Sequence, residues 1–270
     1  MIKLGVYTFA GCEGCQISVL SLGSRMFDLL EGAEFKTFRL LQRHERPVEK
    51  VDIAFIDGCV SRKSHVAVLK DIRKHSKYVI ALGACAAFGG IPGLRKFIDV
   101  DEDTSLAGDM KRWGTIDVAS IDNFIKVDYY LLGCPINPEE FYTLLKMYKE
   151  TGKFPEVITQ PVCIECRAKG NRCLLLDKTA CLGPIVRGGC GALCPSKKAS
   201  CEGCRGILPN VNLKGFMDYL RTMATEEEIK SMLFKYTRPS KMFDLFEEEK
   251  KQARKVIKRT TAKTAKKSKK

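Results

Sequence analysis

Histidine and long apolar runs are both scarce in this sequence. Its 270 residues include three histidines, which are too few and too scattered for zinc fingers that combine histidine with cysteine. Nowhere is there an uncharged apolar run long enough to span a bilayer. The N-terminus shows neither the basic and apolar regions of a secretory signal nor a twin-arginine pair. We therefore expect a cytoplasmic protein with no membrane span.

The basic residues are concentrated at one end of the chain. The net charge is +14, but residues 250–270 hold eleven Lys or Arg and no acidic residue, which leaves +3 for the rest. This excess lies in a tail and does not indicate a nucleic-acid-binding groove. We expect a solvated tail and no nucleic-acid partner; an arm that binds nucleic acid or membrane is the alternative.

Cysteine, by contrast, is abundant. In a cytoplasmic protein, thirteen cysteines favour metal sites or redox chemistry over disulfides. The tetrapeptide CEGC occurs twice, at residues 12–15 and 201–204. No internal repeat of fold length accompanies it, so the second copy does not mark a duplicated domain.

Residues 1–150 alternate between short apolar runs and helix-like segments. The runs KLGVYTFA, VDIAFIDG, KYVIALGA and VDYYLLG each stop at glycine or a glycine-containing turn, and they are typical of buried parallel strands. Helices are predicted at 16–30, 62–75 and 138–149. This β-α-β order predicts an α/β fold with a flavodoxin-like, doubly wound parallel sheet.

The composition changes after residue 150. Residues 151–210 contain eight cysteines with many Gly and Pro, so few regular elements fit and coordinated metal must replace much of a hydrophobic core. Residues 211–270 form a helical C-terminal segment with the basic tail, and its helices are predicted at 212–223, 225–236 and 241–258. Thr225 and Glu228 have the spacing of a capping box.

Five cysteines of the first half follow predicted strands. Cys12 and Cys15 follow the first strand, and the other three strands are followed by Cys59, Cys85 and Cys134. Because the carboxyl ends of parallel strands share one edge of a sheet, these cysteines should converge. Four thiolates suit zinc or an iron–sulfur cluster, although a lone C-x-x-C pair can also be a redox site. One site needs only four ligands, so we expect Cys59 to be a small buried residue instead.

The cysteines of residues 151–210 form two further groups. Their spacings are C163-x2-C166-x6-C173-x7-C181 and C190-x3-C194-x6-C201-x2-C204. Eight thiolates make two sites of four ligands, which zinc could also fill. Three zinc sites without histidine would be unusual, whereas three clusters in one small protein suggest a path for electrons.

Several motifs, taken in order, resemble the small subunit of [NiFe] hydrogenases. They are G-C-x-G-C after the first strand, LGACAAFGGIPG at 82–93, GCPINPEEF at 133–141, CLGP at 181–184 and the closing CEGC. The resemblance covers about residues 1–210. It points in particular to the cytoplasmic archaeal branch, which includes the δ subunit of sulfhydrogenases and the small subunit of F420-non-reducing hydrogenases.

The resemblance implies three [4Fe–4S] clusters and a ligand set for each. The proximal set, which would face the nickel–iron centre of a large subunit, is Cys12, Cys15, Cys85 and Cys134. The medial set is Cys190, Cys194, Cys201 and Cys204. The distal set is Cys163, Cys166, Cys173 and Cys181.

The chain departs at three positions from what many relatives have. Cys163 stands where many respiratory members use histidine, so an all-cysteine distal cluster is expected. Cys194 restores a fourth medial ligand where many have a nearby proline and a three-iron centre. Gln16 stands where a glutamate often follows the first C-x-x-C, which argues against a proton-handling role there.

In function, the resemblance implies an electron-transfer subunit with no catalytic residue of its own. Hydrogen would be split on the large subunit, and electrons would reach a further subunit that handles flavin, nicotinamide or heterodisulfide chemistry. The chain shows no flavin motif, no convincing dinucleotide-binding GxGxxG and no nickel-binding pairs of the large-subunit kind. Two alternatives stay open. One is a zinc-binding, nucleic-acid-associated protein, in which the cysteines would be structural, and the other is a stand-alone ferredoxin or redox regulator, which would be stable without a large partner.

Overall fold

The computed structural model describes residues 1–42, 47–97 and 105–237. Its strands are β1 (Ile2–Thr8), β2 (Ala33–Phe38), β3 (Val51–Asp57), β4 (Val60–Arg62), β5 (Ser76–Leu82), β6 (Thr115–Ala119) and β7 (Tyr129–Leu131). Its α-helices are α1 (Gly14–Leu20), α2 (Arg25–Leu30), α3 (Lys63–His75), α4 (Gly83–Phe88), α5 (Ser105–Arg112), α6 (Pro138–Thr151), α7 (Val162–Ala168), α8 (Leu193–Ser196), α9 (Leu213–Leu220) and α10 (Glu226–Phe234).

The central sheet has the order β2-β1-β3-β5-β7, and all of its pairings are parallel. Counted within this sheet, the order is 2-1-3-4-5, which is the flavodoxin-like arrangement of a doubly wound sheet. The predicted fold class is therefore confirmed. Strands β4 and β6 form a small antiparallel pair beside it.

Both faces of the sheet are covered. Along β3, Ile53 and Phe55 pack into one hydrophobic cluster with residues of α1, α2 and α6, whereas Ala54 and Ile56 pack into a second cluster with residues of α3. A strand buried on both faces is apolar at almost every position. This is why VDIAFIDG is a nearly continuous apolar run.

The first half differs from the sequence prediction in several elements, and β4, β6, α4 and α5 were not predicted. The single helix predicted at 16–30 is two helices, α1 and α2, which are separated by a turn containing Gly23 in the left-handed region (φ 57°). Strand β2 was not predicted. It is an edge strand whose middle residues are half-buried, so polar residues interrupt its apolar pattern.

The second half has few regular elements before residue 210. Its hydrophobic cluster joins residues of the cysteine-rich segment, such as Val162 and Leu182, to Leu220 and Ile229 of α9 and α10. The capping box predicted for α10 is confirmed, because Thr225 and Glu228 bond each other's backbone N–H groups. The helix predicted at 241–258 and the basic tail lie outside the described residues. None of the helices formed by the described residues has the length and apolar character needed to cross a bilayer.

Candidate iron–sulfur sites

The proximal set lies at the carboxyl edge of the central sheet. Cys12 and Cys15 follow β1, Cys85 lies in α4 directly after β5, and Cys134 follows β7. Burial raises the pKa of Cys85 to about 12, and the neighbouring Cys59 and Cys134 thiols add to the rise. Burial also raises the pKa of Cys134, with Cys12 as a nearby contributor. The topology thus brings together four cysteines from three distant segments of the chain.

Glycines leave space for these sulfur atoms. Gly83 has a φ of 81°, and a methyl group there would overlap the Cys15 Sγ. Gly90 has a φ of 52°, and its added Cβ would lie 2.8 Å from the Cys85 Sγ. Side chains are excluded at both positions, by the left-handed backbone and by the close approach of sulfur.

Cys59 is fully buried, as predicted. Its thiol donates to the carbonyl oxygen of Ala10 at 3.2 Å, within an antiparallel bridge between the two residues. Burial raises its pKa to about 11. The hydrogen-bond partner of the Cys59 thiol is thus a backbone oxygen in the segment that leads from β1 to Cys12.

The distal set is built around α7. Burial raises the pKa of Cys163 to about 11, and the neighbouring thiols of Cys181, Cys166 and Cys173 contribute further. Gly183 lies between two of these sulfurs, since its added Cβ would be 3.3 Å from the Cys163 Sγ and 3.6 Å from the Cys181 Sγ. All four predicted distal residues therefore lie near one another.

The medial set lines a cavity of about 420 Å³. Cys134 of the proximal set lines the same cavity, together with Tyr236. The backbone N–H of Cys201 also donates to the Cys181 Sγ of the distal set at 3.3 Å. The medial set therefore adjoins both of the other sets.

The donor sets fit iron–sulfur clusters. Each offers four thiolates, the ligands that [4Fe–4S] clusters take, and the medial cavity has room for a group larger than one ion.

Comparisons with known proteins identify relatives of this chain. The family model described as "NADH ubiquinone oxidoreductase, 20 Kd subunit" matches residues 12–148. Sulfhydrogenase 2 subunit delta of Pyrococcus furiosus is 34% identical over 88% of this chain and 100% of its own length. A subunit of the vhu F420-non-reducing hydrogenase of Methanocaldococcus jannaschii is 32% identical, over 76% of this chain and 82% of its own length.

The chain belongs to the [NiFe] hydrogenase small-subunit family. An actinobacterial-type NiFe-hydrogenase from Ralstonia eutropha has the same fold, with a TM-score of 0.56 at 15% identity, covering 96% of this chain and 92% of its own. The protein is thus a subunit of an oxidoreductase whose active site lies in the large subunit. Small subunits of this family carry iron–sulfur clusters and pair with that large subunit.

Gln16 and Asp57 form a buried polar pair beside the proximal set of this small subunit. Of the two residues, only Gln16 was singled out from the sequence. The amide nitrogen of Gln16 donates to Thr8 Oγ1 at 2.8 Å and to Asp57 Oδ2 at 3.1 Å. Burial raises the pKa of Asp57, while its hydrogen bonds from Gln16, Gly58 and Cys15 act in the opposite direction. The sequence signal for Asp57 is its position as the last residue of β3, where ligand-binding side chains gather.

Arg205 connects the two halves of the small subunit. Its guanidinium is buried and pairs with both carboxylate oxygens of Glu140 on α6, at 2.7 and 2.8 Å. It also donates to the carbonyl oxygens of Leu132 and Gly188, each at 2.5 Å. Since Arg205 directly follows Cys204, this bidentate pair fixes the medial ligand segment against the flavodoxin-like half.

Proposed function

We propose that this small subunit relays electrons through three [4Fe–4S] clusters during reversible oxidation of H2. The ligands would be the proximal, medial and distal sets as defined above. The observation that carries the proposal is the continuity of the three sets. Cys134 reaches the medial cavity, and the N–H of Cys201 reaches the sulfur of Cys181.

When bound, each cluster would accept and release one electron at a time. The residues of this chain supply the surroundings that set how readily it does so. Buried thiolates, backbone N–H donors and the exclusion of water all tune the reduction potential of such a site. The hydrogen bond from the Cys201 N–H to the Cys181 sulfur is one such contact.

We further propose that electrons leave at the distal set, toward an acidic surface of a separate electron-transfer subunit. Two apolar side chains next to distal ligands are exposed, Ile164 and Leu176. The exposed basic residues near them in the sequence are Arg167, Lys169 and Lys178, together with Arg172, whose charge is paired with Asp177. An apolar centre with a basic rim favours an acidic partner. That partner would handle flavin, nicotinamide or heterodisulfide chemistry, and we expect the complex in the cytoplasm.

Removing one cysteine from each set tests the assignment. Cys15→Ala, Cys194→Ala and Cys173→Ala, each in the complex with the large subunit, should each disturb the electron paramagnetic resonance signal of a different cluster. Iron should fall below the wild-type value of about twelve per chain. Cys59→Ala is the matched control and should leave the iron content per chain unchanged. A Cys59→Ala variant that lost a cluster, or a distal variant that kept its full iron content, would contradict the ligand assignment.

A further inference from the structure

Each of the three C-x-x-C pairs in the sequence encloses a glutamate, and one of these glutamates is placed differently from the others. Glu13, in the proximal pair, lies 3.8 Å from Arg39. Glu202, in the medial pair, forms an ion pair with Lys235 at 2.7 Å. Glu165, in the distal pair, turns inward and contacts the segment that carries a medial ligand.

The Glu165 carboxylate binds both sides of Cys190. Its Oε1 accepts the backbone N–H of Gly189 at 2.5 Å, and its Oε2 accepts the backbone N–H of Ala192 at 3.1 Å. The Cys190 Sγ is 4.0 Å from the same Oε2. A carboxylate that accepts backbone N–H groups makes charge-assisted hydrogen bonds, which are stronger than neutral ones.

The segment that Glu165 contacts has an irregular backbone, and Asn137 also holds it, since the Asn137 Nδ2 donates to the carbonyl oxygen of Gly189 at 3.0 Å. Gly189, Gly191 and Ala192 all have positive φ values, of 106°, 63° and 50°. Directly after the end of α7, the Lys169 Nζ donates to the carbonyl oxygen of Gly191 at 2.5 Å. Helix α7, which carries two distal ligands, and the residue that follows it therefore bind the segment of the first medial ligand through two charged side chains.

We propose that Glu165 is a positioning residue that couples the medial and distal clusters. Its hydrogen bonds hold Cys190 at the medial site, and its negative charge lies between the two ligand sets. A fixed negative charge near a cluster disfavours the addition of an electron, so Glu165 lowers the reduction potentials of both clusters. The proposal rests on the cluster assignment given above.

The test uses Glu165→Gln in the complete complex, with redox titration of each cluster followed by electron paramagnetic resonance. Glutamine keeps the size of the side chain but removes the charge and one acceptor oxygen. The medial and distal potentials should rise while the proximal potential stays unchanged. Glu13→Gln is the matched control, a glutamate in the corresponding kind of motif at the proximal pair, and should leave the medial and distal potentials unchanged.

A second variant, Glu165→Ala, removes both hydrogen bonds and should lower the occupancy of the medial cluster, with a loss of up to about a third of the iron. The proposal is overturned if Glu165→Gln moves the medial and distal potentials no more than Glu13→Gln does. It is also overturned if Glu165→Ala keeps all iron and unchanged potentials. Failure of the cluster assignment itself would look different, because the wild-type complex would then lack three separate cluster signals.

Discussion

Arg205 offers a sharp test of how the two halves are held together. Replacing it with methionine keeps most of the side-chain volume but leaves the Glu140 carboxylate, which is 20% exposed, without its partner. It also leaves the carbonyl oxygens of Leu132 and Gly188 without this donor. Breaking a buried pair by removing one partner costs about 3–5 kcal/mol. We therefore expect the free energy of unfolding to fall by about that amount, and the Tm by on the order of 10 °C.

The assay is thermal and denaturant unfolding of the anaerobically purified subunit, and the chain supplies a matched control. Arg25 and Glu139 also form a pair, at 2.5 Å, but their side chains are 43% and 58% exposed. Water screens the charges of an exposed pair, so Arg25→Met should barely change stability. Adding Glu140→Gln to Arg205→Met should recover part of the loss, because a neutral amide is cheaper to bury than a carboxylate. Equal losses of stability in Arg205→Met and Arg25→Met would show that the buried pair does not hold the two halves together.

Two further predictions concern the proximal set and the distal surface. Gly83→Ala should prevent assembly of the proximal cluster, since the new methyl overlaps the Cys15 sulfur. Gly152→Ala is the control, because Gly152 also has a positive φ but lies in open space, and this variant should keep the wild-type iron content. Iron analysis of the two variants decides this, and a full complement in Gly83→Ala would contradict it. Charge reversal of Arg167 and Lys178 should slow electron transfer to the partner subunit by on the order of tenfold at low salt, with a smaller effect at high salt. Stopped-flow kinetics checks this, and a rate unchanged at low salt would argue against an acidic partner.

The fold could be predicted from the sequence where burial leaves a simple pattern. Strand β3 is covered on both faces and is therefore apolar throughout, so its bounds were nearly correct. Strand β2 lies at an edge and mixes polar with apolar residues, so no run marks it. The break between α1 and α2 depends on the left-handed conformation of Gly23, and an isolated glycine in a helical pattern does not by itself reveal such a turn.

The residues of the candidate sites also differ in how well the sequence predicts them. The sequence was enough to predict that the proximal cysteines lie together, because the topology brings the carboxyl ends of parallel strands to one edge of the sheet. Asp57 and Glu165 were missed as parts of these sites, because their roles depend on partners 41 and 24 to 27 residues away. A glutamate inside a C-x-x-C pair looks the same in the sequence whether it faces solvent or the backbone of a neighbouring site. Only the folded chain distinguishes Glu165 from Glu13.

The metal and sulfide content of the anaerobically purified protein decides whether the cysteines hold iron–sulfur clusters. We expect about twelve iron and twelve acid-labile sulfide per chain, with nickel only when the large subunit co-purifies. Zinc near three per chain, without sulfide, would contradict it and would support the structural zinc alternative.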